Sequence, residues 1–542
     1  MKPRHPDAPN ILLITADQLR WDYVHAYTPE GFIKTPALDS LAADGCLCER
    51  AYSPNPVCIP ARHNLITGLP ARYHRFDDNY FGPGSKVCPW NLPTFAQILS
   101  DCGYATAAIG KMHFQPERRA TGFDLFENCD EVVYDIAEDE YAQFLREQGY
   151  EQTGSIHGVR NVLYMQPQQS LLPEELHSSS WVADRSIRYI KSRATRQRPF
   201  LLWAGFIHPH PPLDVPENWA HLYDGCVPPR TFSQTPLSKL ALENQCIADL
   251  PDEENVNRMR ELYACAVSFM DHHVGRILKA LDEEGLRENT LVLFVSDHGE
   301  MLGDLDTYQK FLPYDASCRV PMLLRWPGHI TPGSRRTDFT DLNDILPTVL
   351  DAAGTPYPGE LELPGESLLA KTPKKDRSVQ YVEHQRERKR WCCLIGERYK
   401  FVHAYGDREQ LFDLHEDPEE RNDLLWGTPG PEILRIRDEL DARLLEYEGR
   451  WGLPNYVADG KFAEFPPYEI QNYRECCFPS FMVQEPGAPA HTPLAEEILR
   501  AIANEPTVHL ENLHIRELLT SCGEMTDQEV DDLLERARQQ GN

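Results

Sequence analysis

Several residues in this chain have the types and spacing to do chemistry together. In "NPVCIPARHNLITG", residues 55–68, a cysteine precedes a proline, an arginine and the start of a helical pattern. A free Cys is most often a small buried hydrophobe, but its thiolate is a nucleophile, so Cys58 has two readings from residue type alone. Asp17-Gln18 and Asp297-His298 each end an apolar run. An Asp in that position is often a helix N-cap. Brought together, however, two carboxylates, an amide oxygen and an imidazole make a hard, oxygen-rich site for Ca²⁺, Mg²⁺ or Mn²⁺, with the imidazole tilting it toward Mn²⁺. Lys111 in "GKMHF" also follows an apolar run, and an ammonium leaving a buried strand needs an anion beside it. His208-Pro209-His210 offers imidazoles to a transition metal.

These clusters must be positioned by the runs that precede them. "NILLIT", "YATAAIG", "PFLLWAGFI" and "TLVLFVS" are continuous apolar stretches, as expected of strands buried on both faces. Helical patterns lie between them, such as "NVNRMRELYACAVSFMDHHVGRILKALDEEG" with its glycine stop. The alternation predicts an α/β sandwich around a large, mostly parallel sheet. In such sheets ligands collect beyond the carboxyl ends of the strands, where all four polar clusters fall.

Near residue 355 the pattern changes to a Pro/Gly-rich connector, then to "SVQYVEH", "RWCCLIG" and "RYKFVHAY". These predict a small antiparallel sheet closing on "QLFDLHEDPEERNDL", followed by a helix over about 431–449. Three units are expected: a catalytic α/β domain at 1–370, a small sheet-plus-helix domain at 371–455, and an irregular and helical appendix at 456–542. The appendix is the expected place for a homo-oligomer contact.

The net charge of −30 repels nucleic acid and anionic membranes, so no partner of either kind is expected. An anionic substrate must then be drawn in by local cations and metal. The N-terminus carries only a short apolar run, too short for a signal peptide, and no stretch approaches a membrane span. With fifteen cysteines, an odd number, the expectation is free thiols in the cytoplasm.

Cys-x-Pro-x-Arg followed by "HNLITG" resembles the signature of the formylglycine-dependent sulfatases of the alkaline-phosphatase superfamily. "SDHGEMLGD…QK…RVPMLLRWPG" resembles that family's second signature, and "LFDLHEDPEERNDL" its C-terminal domain. The resemblance implies that a maturation enzyme oxidises Cys58 to an aldehyde whose hydrate is the nucleophile. It places one divalent ion (calcium first, manganese or magnesium as alternatives) on Asp17, Gln18, position 58, Asp297 and His298. It makes Lys111 and Lys310 cations on the sulfuryl oxygens, with Arg62 orienting the nucleophile. Asp297 is then the base, His208 the proton donor to the leaving group, and His113 assists release of sulfate. Gln18 and His298 depart from the commoner Asp and Asn, and look like choline sulfatases and phosphonate monoester hydrolases. "GKMHF" matches the sulfatase pattern.

The expected reaction is therefore hydrolysis of a small sulfated substrate to an alcohol and sulfate. A phosphonate monoester or phosphodiester hydrolase on the same scaffold is the alternative. An unmodified cysteine hydrolase and a non-catalytic binding protein are the rivals from other classes. Trp21, Asn79, His210, Glu383 and His384 flank the expected site and are candidates to line its pocket, Asn79 and His210 as substrate-binding residues.

Overall fold

The computed structural model describes residues 8–79, 88–89, 91–115, 118, 121–133, 136–150, 156–160, 163–192, 198–245, 250, 252–386, 389–470, 494–503, 505, 507 and 526–540. Its first ten strands are β1 (Asn10–Ala16), β2 (Cys46–Tyr52), β3 (Ala105–Gly110), β4 (Leu125–Asn128), β5 (Gln168–Gln169), β6 (Phe200–Gly205), β7 (Asp214–Val215), β8 (Thr290–Ser296), β9 (Met322–Arg325) and β10 (Ser334–Asp341). β5 and β7 form a short separate pair. The others make an eight-stranded sheet in the order β10-β2-β9-β8-β1-β6-β3-β4. All four apolar runs are strands at its centre.

β8, β1, β6 and β3 are neighbours and mutually parallel, so their carboxyl ends share one edge. β9 runs antiparallel to both β8 and β2, which makes the sheet mixed though mostly parallel. Alternation within β1 puts Leu12 and Ile14 in the core of one face and Ile11 and Leu13 in the core of the other. That two-sided burial is why the run has no polar alternation. Gly110 closes β3 at φ 99°, and a Cβ there would sit 2.0 Å from the Gly205 carbonyl oxygen. Only glycine lets β3 and β6 lie this close just before Lys111.

The helix read from "NVNRMRELYACAVSF…" spans Glu253–Glu283, and Gly285 follows at φ 68°. A second sheet is a meander of β11 (Gln380–Arg386), β12 (Lys389–Ile395), β13 (Tyr399–Ala404) and β14 (Gln410–Asp413), all antiparallel. The helix Pro431–Trp451 packs on it, and a hairpin of β15 (Val457–Ala458) and β16 (Lys461–Phe462) lies against that helix. Ring stacking of Phe462 on His403 at 3.9 Å ties the hairpin to β13.

Arg390 is fully buried where this sheet meets its helix, and it donates to Glu448 at 2.8 and 2.9 Å and to Glu383 at 2.5 Å. Glu448→Ala leaves Glu383 to match the Arg390 charge but strips the buried Arg390 Nε–H and Tyr405 hydroxyl of their shared acceptor, and is expected to destabilise the chain by roughly 3 kcal/mol. Urea unfolding followed by tryptophan fluorescence checks this; a midpoint equal to that of the parent counts against it.

Of the appendix, Leu494–Ile502 and Asp527–Gln540 are helices, whereas 471–493 lies outside the described residues. The first of these helices packs on β5, and Glu505 accepts from Arg258 at 2.8 and 2.9 Å. Ile498, Leu499, Val530 and Leu533 of these two helices are buried.

Candidate active site

The register of β1 with β8 pairs Ala16 with Ser296, so the next residues, Asp17 and Asp297, emerge side by side. Both are fully buried. Cys58 faces them from the first turn of the helix Cys58–Thr67. Pro60 is tolerated in that turn because the N–H it lacks would have had no helical partner. Gly68, at φ 66°, ends the helix by donating to the Asn64 carbonyl.

The loop before Cys58 is pinned by the second sheet. Glu383 N–H donates to the Pro54 carbonyl at 3.0 Å, and His384 Nδ1 lies 3.1 Å from Asn55 Oδ1. Asn79 Oδ1 accepts the Ile59 N–H at 3.0 Å, so it fixes the helix start.

Arg62 reaches back from the same helix to hold the strand ends. It donates to Asp297 Oδ2 at 2.8 Å, to Asp17 Oδ2 at 3.3 Å and to the Lys111 carbonyl at 2.6 Å. Lys111, expected to need an anion, has two: Asp17, and Glu131 at 2.6 Å. Lys310 Nζ lies 2.9 Å from Cys58 Sγ, donates to Gln18 Oε1 at 2.9 Å, and is 3.1 Å from His210 Nε2. Burial pushes the Cys58 thiol up to about 12, which keeps it protonated and unreactive at neutral pH. His113 adopts φ 55° two residues past Lys111, and burial together with Lys111 holds its imidazole neutral.

The two histidines of "HPH" separate. His208, expected to serve the leaving group, instead has Nε2 3.1 Å from Asp214 Oδ1 and Nδ1 3.4 Å from Ser179 Oγ. His210 is the one that joins the cluster, with Nε2 3.0 Å from Glu131 and beside Lys310. The cause is the loop's path: Asp214 draws one ring into the core while Glu131 draws the other to the sheet edge. Trp21 stacks under Arg319 at 3.8 Å, and Glu383 is engaged by Arg390, so neither is seen in the cluster.

Sequence reasoning missed Glu131 and Glu300. Glu300 accepts from the Gln18 side-chain amide, which turns Gln18 Oε1 toward Lys310. Its signal was its place in "SDHGE"; Glu131, in "NCDEVVY", had none.

The residues at position 58 fit a cation. His298 Nδ1 lies 3.0 Å from the Gly299 carbonyl, which can only accept, so Nδ1 carries the ring proton. Burial pushes this imidazole down to about 4, leaving Nε2 as a bare lone pair. It faces Asp17 Oδ1 at 3.6 Å and Asp297 Oδ1 at 3.7 Å, three donors with no ring proton between them. The His177–His208–Asp214 cluster has the opposite polarity. His177 Nδ1 accepts the Ser179 N–H, so its proton sits on Nε2, toward Asp214 at 3.5 Å. The two rings of "HPH" face different carboxylates, Asp214 and Glu131, so the reading of that pair as one metal site is dropped.

The family model described as "Sulfatase" matches residues 9–355, and "N-sulphoglucosamine sulphohydrolase, C-terminal" matches 303–449. The chain belongs to the sulfatase family. It is a sulfuric ester hydrolase. An arylsulfatase of Clostridium perfringens (strain 13 / Type A) is 31% identical over 465 residues, covering 82% of this chain and 95% of the relative. A choline-sulfatase of Rhizobium meliloti (strain 1021) is 30% identical over 451 residues, covering 78% and 83%. The fold matches the crystal structure of a phosphonate monoester hydrolase of Agrobacterium radiobacter with a TM-score of 0.69, at 24% identity, covering 85% of this chain and 100% of that one. Among the described residues no helix is long and apolar enough to cross a membrane.

Proposed function

We propose that this sulfatase cleaves a small sulfate monoester at position 58, after a maturation enzyme has converted Cys58 to formylglycine. The observation that carries this reading is the surroundings of Cys58 Sγ. Lys310 Nζ lies at 2.9 Å, His298 Nε2 at 3.2 Å and Asp17 Oδ1 at 3.7 Å, all with no exposed surface or nearly none. Because Cys58 is wholly buried, conversion must precede closure of the fold. Eleven described cysteines are free thiols, which suits a reducing cytoplasm.

Hydrated, the aldehyde supplies two hydroxyls on one carbon, one to attack sulfur and one through which sulfate is expelled. A divalent ion, calcium before manganese or magnesium, would be held by Asp17, Gln18, position 58, Asp297 and His298, and would supply Lewis-acid charge there. The chain's own residues do the rest. Arg62 fixes Asp17 and Asp297. Asp297 takes the proton of the attacking hydroxyl. Lys111 and Lys310 bind the sulfuryl oxygens, where negative charge collects in the transition state. His210, rather than His208, serves the departing alkoxide. His113, held neutral, accepts the proton that accompanies sulfate release.

Gln18 and His298 favour a second reading, a phosphonate monoester or phosphodiester hydrolase, and a relative from Trinickia caryophylli is described as a multifunctional alkaline phosphatase superfamily protein. Lys111 with His113 directly after β3 favours sulfate. With one aryl leaving group, the sulfate monoester is expected to exceed the phosphonate monoester in kcat/KM by at least about 10²-fold, or roughly 2.7 kcal/mol. Steady-state hydrolysis of both esters decides it, and a preference for the phosphonate reverses the assignment.

A further inference from the structure

Glu131 is a buried carboxylate that no step above uses. It follows β4 in "NCDEVVY", a stretch with no apolar periodicity, and its side chain is 4% exposed. One oxygen, Oε2, lies 2.6 Å from Lys111 Nζ and 3.0 Å from His210 Nε2. The other, Oε1, is 3.5 Å from Arg160 Nη2.

His210 is held on its far side too. Its Nδ1 lies 2.6 Å from the Pro211 carbonyl, an acceptor, so Nδ1 carries a proton, while Nε2 lies between Glu131 and Lys310 Nζ and is held by the carboxylate when it carries a proton and by the ammonium when it does not. Arg160 Nη1 reaches that same carbonyl at 3.5 Å. The imidazole is therefore gripped between Pro211 and Glu131, with Arg160 joining the two acceptors.

We propose that Glu131 is a positioning residue: through one oxygen it holds the ammonium of Lys111 and the Nε2 edge of His210 in a fixed mutual geometry. This rests on the reading that Lys111 binds the sulfuryl group and His210 serves the leaving oxygen. Bond cleavage separates those two ends of the ester, so the enzyme must hold both while the S–O bond breaks. A geometry set by one rigid carboxylate avoids paying for that alignment in each turnover.

The role has a signature that simple structural support lacks. Help to the departing alkoxide matters most when the alcohol is a poor leaving group, whereas grip on the sulfuryl oxygens does not depend on the alcohol. The experiment measures kcat and KM for the parent, Glu131→Gln, Glu131→Asp and His210→Gln on 4-nitrophenyl sulfate and on an unactivated primary alkyl sulfate. Melting temperature and bound metal are determined for each protein. Glu131→Gln is expected to lose about 10-fold more kcat on the alkyl sulfate than on the aryl sulfate, with metal content unchanged. Glu131→Asp, which keeps the carboxylate, is expected to recover part of that difference. Equal losses on the two substrates in Glu131→Gln, alongside a leaving-group-dependent loss in His210→Gln, overturn the role of Glu131 alone. A His210→Gln variant that does not discriminate between the substrates overturns the reading of His210, and the proposal falls with it.

Discussion

Cys58→Ser is expected to fold as the parent does and to lose at least about 10³-fold in turnover on sulfate esters. The site tolerates the exchange structurally. Serine is slightly smaller than cysteine, and its hydroxyl can take up the contacts that Lys310 and Asp17 make to Sγ at 2.9 and 3.7 Å. It fails chemically, because serine offers one hydroxyl where the hydrated aldehyde offers two. An esterified serine then has no second hydroxyl through which to expel sulfate, so turnover stops at the sulfated enzyme. The same experiment bears on the modification. In active parent protein the Cys58 peptide is expected to be lighter by roughly 18 mass units than its unmodified form. Full activity from protein whose Cys58 peptide has the unmodified mass would sink the mechanism.

Lys310→Ala is expected to lower kcat/KM by about 10²–10³-fold, with most of the loss in kcat. Lys310 Nζ stands at the centre of the cluster, within 3.1 Å of Cys58 Sγ, Gln18 Oε1 and His210 Nε2. It is nearly fully buried, so its charge acts in a medium that screens it weakly. Negative charge moves onto the leaving oxygen as the ester bond lengthens, and an ammonium fixed beforehand between position 58 and His210 gains most at that moment. Removing it also frees Gln18 Oε1 from its donor, while Glu300 still orients the amide from the other side. Steady-state kinetics on an aryl sulfate separate the two contributions. A raised KM with unchanged kcat would mean that Lys310 binds substrate and transition state alike.

Most of the candidate site was legible as one-dimensional pattern. Asp17, Lys111 and Asp297 each follow a continuous apolar run, and such a run becomes a strand buried on both faces wherever helices cover the sheet. Adjacency in the chain then becomes adjacency at the sheet edge, since β3, β6, β1 and β8 are parallel neighbours. Cys58 and Arg62 were legible for a similar reason. Four residues apart at the start of one helix, they lie on the same face, where the arginine can reach both carboxylates.

What escaped the sequence depends on contacts between distant segments. His208 and His210 are chemically identical and two residues apart, so no local pattern says which faces the sheet edge. Asp214 and Glu131, through ring contacts at 3.1 and 3.0 Å, make that choice. Glu131 itself reads as a solvated turn residue until Lys111, 20 positions earlier, meets it in the core. The antiparallel sheet was legible as strands, but not its grip on residues 54 and 55 beside Cys58, which joins segments more than 300 residues apart. A buried charge is stable only where its partner is, and partners of that kind are set by packing, not by periodicity.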